Sequence, residues 1–203
     1  NTHSGEVEHE EVPKIPREIW VMVTAAFIIA LGYGLIAPLL PQFVVSFDVS
    51  MAAAGLVVSI FAASRLIFAP MSGSLVDRVG SRRVYLIGLM TVAVTTGLVS
   101  IAQSYWHIVA LRAIAGIGST MFTVSAMGLI VRMSPPTIRG KCSATYATAF
   151  LLGNVAGPVL GASLSFLGFR WPFFIYGAGV ALAAFVVWWQ MPRVNHKQAS
   201  KDK

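Results

Sequence analysis

The sequence predicts an all-α membrane protein: six transmembrane helices arranged as a 3+3 inverted repeat. Three observations predict it. Hydrophobic residues make up 56% of the chain and charged residues 11%, with a mean hydropathy of +0.74. A soluble domain carries about a quarter charged residues. Six apolar segments each reach the ~20 residues needed to cross a ~30 Å hydrocarbon core. A spaced pattern of Pro, Gly, Arg and Ile also recurs at an offset of 88 residues.

The spans are justified in order. Residues 1–18 form a mixed tail with Glu6, Glu8, Glu10 and Glu11, unlike the basic start of a secretory signal. Span one is Trp20–Phe43, loosened in its middle by Gly32 and Gly34, with Pro38 and Pro41 expected to end it. Span two is Met51–Val76 and span three is Val84–Gln103. Between them lies a turn of about six residues holding Asp77, Arg78, Arg82 and Arg83, which belongs at the water interface. Spans four to six are His107–Met133, Cys142–Leu167 and Trp171–Met191. Lipid offers the backbone no water to bond, so apolar spans of this length are helices. Strand-like alternation is absent. The bundle therefore covers 19–192, with repeat one about 19–104 and repeat two about 105–192, followed by a basic tail at 193–203.

The charge is topological. Of 15 Lys and Arg, 12 fall in the N-terminal tail, the hairpin between spans two and three, the segment 132–141 and the C-terminal tail. These are alternate connections, so the excess of basic residues puts them, and both termini, on the cytoplasmic side. Arginine favoured over lysine in the loops, with abundant Ala, Val and Gly, suggests a bacterial cytoplasmic membrane. No basic face interleaved with aromatics is present, so the net charge of +7 does not point to nucleic acid. Cys142 stands alone, which excludes an internal disulfide. No metal-ligand cluster, phosphate-cradling loop or nucleophile–base constellation appears, so neither a cofactor, a metal nor an enzyme activity is expected.

The repeat is specific. Pro70, Gly73, Gly80, Arg82 and Ile87 are matched in register by Pro158, Gly161, Gly168, Arg170 and Ile175. Three spans separate the copies, and an odd number inverts the second relative to the first. Inverted repeats of this kind build many secondary transporters. The repeat also accounts for Arg170, otherwise an exception on the external side.

With these residues in view, the chain resembles the N-terminal six-helix half of a major facilitator superfamily transporter, and within it the drug:proton antiporters. Gly73-Ser-Leu-Val-Asp77-Arg78-Val-Gly80-Ser-Arg82-Arg83 is similar to that family's loop between helices two and three, with Ser81 inserted before the basic pair. Leu111-Arg112-Ala-Ile-Ala-Gly116-Ile-Gly118 resembles the arginine motif of proton-coupled members. Gly153-Asn-Val-Ala-Gly157-Pro158-Val-Leu-Gly161-Ala162 resembles the helix-five antiporter motif, with Ala162 where a second glycine is usual. The resemblance implies proton-coupled efflux of small organic or drug-like molecules by alternating access. It implies a latch at Gly73, Asp77, Arg78, Gly80 and Arg82, and a contact between halves at Gly153, Gly157, Pro158 and Gly161. Besides the lipid bilayer, the implied partner is a second six-span half, from the same gene product, a second copy or another subunit. The alternative is a non-transporting scaffold or accessory subunit built on the same bundle.

Three cations lie outside the basic connections, and two of them, Arg65 and Arg112, fall inside spans. A charge at that depth faces a cavity or a partner; for Arg112, snorkelling to the external interface is the competing reading. All eight acidic residues lie outside the spans. Buried arginines without buried acids favour a transport or coupling role for Arg65 and Arg112, and an anionic or carboxylate-bearing substrate.

Overall fold

The computed structural model describes residues 12–190, and among these every regular element is helical. The membrane-length helices are α1 (Arg17–Val45), α2 (Met51–Val79), α3 (Ser81–Val99), α4 (Tyr105–Met133), α5 (Arg139–Leu164) and α6 (Arg170–Gln190). Short 3₁₀ turns, Pro136–Ile138 and Ser165–Leu167, lead into α5 and out of it. The C-terminal tail expected at 193–203 and the acidic cluster of the N-terminal tail lie outside the described residues.

Local chemistry sets several ends. The Ser50 hydroxyl accepts from the Ala53 N–H at the start of α2, and the Ser104 hydroxyl accepts from the His107 N–H at the start of α4. Each satisfies one of the donors that a helix N-terminus leaves unpaired. Two expectations are corrected. Pro38 and Pro41 do not end α1, which continues to Val45; in a membrane bundle, neighbouring groups absorb the hydrogen bonds that a proline removes. The polar hairpin is not a six-residue turn either. Asp77 and Arg78 belong to α2, Arg82 and Arg83 to α3, and the chain reverses at Gly80 alone. Gly80 has φ 98°, a conformation closed to most L-residues, so one residue does the work of a loop.

The packing follows the repeat. α1 lies along α5 as α4 lies along α2, and α3 pairs with α6. Backbones meet closely at glycines. A Cβ on Gly157 would stand 2.5 Å from the Leu31 carbonyl and 2.6 Å from Gly34 Cα. On Gly177 it would meet Gly97 Cα at 2.8 Å. Small residues allow this approach where no hydrophobic drive exists between helices in lipid. Gly32 and Gly34 therefore do not act as loose points in α1: Gly32 makes room for the Tyr176 ring, and Gly34 for Asn154 and Pro158 of α5.

The two ends of the bundle are tied by polar contacts. Arg17 of α1 donates to the Gln190 side chain of α6, and Arg82 donates to the Trp188 carbonyl, so both chain ends of the bundle share a face with the α2–α3 hairpin. At the other face the Tyr105 hydroxyl donates to the Ala53 carbonyl, and Arg170 reaches the end of α3. Trp20, Trp106, Trp171, Trp188 and Trp189 are exposed near helix ends, as interfacial aromatics are. α1 and α4 are the most buried helices, and α2 and α5 the least. The outward residues of α2 and α5, among them Leu66, Ile67, Val155 and Val159, form apolar surface.

Candidate functional site

The site is built where α1, α2 and α4 converge. On α4, Arg112, Gly116, Ser119 and Thr123 recur at spacings of three and four and form one stripe. On α2, Val58, Phe61 and Arg65 do the same. Gly116 lets these helices close: a Cβ there would lie 2.6 Å from the Phe61 carbonyl and 2.8 Å from Ser64 Cβ. Tyr33 of α1 reaches across, its hydroxyl 2.5 Å from that of Ser119. Tyr33 also packs edge-on against Phe61 and Phe150, with ring centroids 6.0 Å away in both cases.

These residues enclose a cavity of about 180 Å³ bounded by Tyr33, Ile36, Leu40, Val58, Phe61 and Arg112. Arg112 is only 7% exposed, so it does not snorkel. Its guanidinium carbon lies 4.2 Å from the Phe61 ring centroid, a cation–π contact of the kind worth ~0.5–2 kcal/mol. That offsets part of the ~2.5–3.5 kcal/mol that insertion scales assign to an arginine at depth. Arg112 Nε has no hydrogen-bond partner among the described residues. Arg65, the middle residue of α2, makes a long 3.5 Å contact to the Thr123 hydroxyl. The sequence from 19 to 47, 49 to 76 and 78 to 190 carries no carboxylate to neutralise Arg65 or Arg112.

A larger groove, about 300 Å³, runs between α1 and α6. It opens on the outer surface beside Trp20 and Leu182, and its one charged group, Arg17, is bonded to Gln190. The polar convergence lies with Arg112 instead.

The remaining sequence-derived residues lie elsewhere. Gly73, Asp77, Arg78, Gly80 and Arg82 sit at the hairpin; Asp77 is twelve residues from Arg65, ~18 Å along the helix. Asp77 and Arg78 are exposed. A Cβ on Gly73 would meet no atom within 4 Å, so this glycine serves no tight packing inside the bundle. Gly153 and Gly157 are buried against α1, Gly161 touches Leu35 more loosely, and Pro158 is exposed with its ring edge beside Gly34. Sequence reasoning misses Tyr33, Phe61, Ser119 and Thr123. The small polar stripe of α4 in phase with Arg112 is the signal that could have found the last two.

Comparison with known proteins agrees with this architecture. Quinolone resistance protein NorA of Staphylococcus aureus is 28% identical over 171 residues, covering 84% of this chain and 44% of that protein. Multidrug resistance protein 1 of Bacillus subtilis is 30% identical over 164 residues, covering 81% and 42%. The chain thus spans less than half the length of these relatives. Among solved structures, the human organic anion transporter MFSD10 (TETRAN) superposes with a TM-score of 0.72 at 25% identity, covering 85% of this chain and 48% of that one. The peptide transporter POT in complex with sulfate gives 0.79 at 16% identity over 92% and 43%, a likeness of fold alone. The Major Facilitator Superfamily profile matches residues 22–203, and the chain belongs to that family.

Proposed function

We propose that this six-helix bundle is one half of a secondary active transporter that exports small organic molecules by alternating access, driven by the proton gradient. The observation that carries the reading is Arg112: a buried cation facing a cavity among three helices, with no acid beside it. A folding role alone gives little reason to keep such a group at depth. The relatives named for quinolone and multidrug resistance support export of drug-like compounds. The apolar outward faces of α2 and α5 are where a second six-helix unit would pack, with the cavity opening toward it. In this reading the hairpin around Asp77 is a latch between the units, and the termini lie in the cytoplasm of a bacterial cell.

The test is efflux of a fluorescent quinolone, which carries a carboxylate, from cells expressing the full-length gene product. Efflux that stops when an uncoupler collapses the proton gradient, and that falls at least tenfold in Arg112→Ala at equal membrane abundance, is the expected result. No efflux above vector cells for any of a panel of quinolones and dyes would reject transport and favour a scaffold.

A further inference from the structure

The cavity has an electrostatic defect that its own helices do not correct. Arg112 is 7% exposed, its Nε is unpaired among the described residues, and its guanidinium carbon lies over the Phe61 ring. A guanidinium carries five N–H donors in a fixed fork and keeps its charge in a protein. A cation–π contact satisfies the charge in part and accepts no conventional hydrogen bond from the fork. Arg65 spends one donor on a long contact to Thr123 and retains the others. The Tyr33 hydroxyl shares the cavity wall with Arg112, with Ser119 at its side. The rest of the wall is apolar: Ile36, Leu40 and Val58.

From this geometry we infer that the cavity takes a carboxylate-bearing organic anion, with Arg112 as its first contact and Arg65, one turn along α2 from Phe61, supplying a second positive field. The inference rests on the transport reading and names the substrate class of that site. Guanidinium and carboxylate match as paired donors and acceptors. The apolar wall selects an organic body over a bare inorganic anion.

The experiment measures equilibrium binding to the purified full-length protein of naphthoate and of naphthamide, its neutral counterpart of similar size. The wild-type protein is expected to prefer naphthoate by about tenfold, equivalent to 1.4 kcal/mol, with no displacement by inorganic phosphate. Arg112→Gln should reduce that preference to about twofold or less, and Arg65→Gln should lower it at least threefold, each read as the ratio of naphthoate to naphthamide affinity in the same variant. Arg112→Lys should retain part of the preference, since it keeps the charge but not the fork. Equal binding of acid and amide by the wild type overturns the inference, as does a preference that survives Arg112→Gln or is abolished by phosphate. Should Arg112→Gln not fold, the Arg65→Gln and Arg112→Lys measurements decide. Proton-driven efflux of any compound without a carboxylate preference overturns this inference alone. A carboxylate preference without efflux of any compound overturns the transport reading alone.

Discussion

Arg82 and Arg170 make the same contact at opposite ends of the bundle. Arg82 Nη2 donates to the Trp188 carbonyl at 3.0 Å, and Arg170 Nη1 donates to the Ser100 carbonyl at 2.9 Å. Donors and acceptors are both separated by 88 positions, so one bond is the image of the other under the repeat. Each arginine lies in the first turn of its own helix and reaches the carbonyl end of the partner helix, where a cation is favoured. Gly80 and Gly168, with φ 98° and 85°, precede the two arginines at matched positions.

Arg170 donates to two carbonyls, Ser100 and Ala102, each at 2.9 Å. Replacing it with Gln should therefore destabilise the bundle by ~1–2 kcal/mol. Thermal melting in detergent checks the loss, and an unchanged midpoint would deny these two bonds a part in stability.

Gly157→Ala should destabilise by ~1–3 kcal/mol, because its Cβ would meet backbone of Leu31 and Gly34, which cannot rotate away. Gly73→Ala is the counterpart. With open space around it and alanine the better helix former, the isolated bundle should gain up to ~1 kcal/mol. A melting comparison of the two variants decides.

Asp77→Asn separates folding from turnover. Asp77 is exposed near the C-terminus of α2, where an acid is disfavoured by the helix dipole. The variant should insert and melt normally, or gain ~0.3–1 kcal/mol, while efflux by the full-length protein slows severalfold. An unchanged rate would end the latch proposal.

Gly80→Ala should cost ~1–3 kcal/mol, the strain of holding a Cβ at φ 98°. Proteolysis at the α2–α3 link would report the loss, and Gly168→Ala provides the matched control on the other face.

Much of the fold was legible in the sequence because lipid imposes one rule on every span. Long apolar runs had to be helices, and a recurring pattern across an odd number of spans had to be inverted. The glycine stripe at Gly153 and Gly157 announced a close helix contact, but only the topology names α1 as the partner. Helix ends were harder to read. A proline marks a lost hydrogen bond, and whether the helix stops there depends on neighbours, as α1 shows by running to Val45. For Arg112, spacing from the interface allowed either direction; the close α2–α4 approach at Gly116 turns it inward onto Phe61. Tyr33 and Ser119 stand 86 positions apart, and nothing in either local sequence announces that they meet.

The bare faces of α2 and α5 bear on how such a protein is assembled. In water, surfaces carrying Leu66, Ile67, Val155 and Val159 would drive aggregation. In a bilayer the acyl chains are as apolar as those side chains, so such faces carry little penalty there. A transporter with this architecture should therefore tolerate being made as two separate polypeptides that find each other in the membrane. Co-expression of the severed halves, with efflux as the readout, would recover function without a covalent link between them.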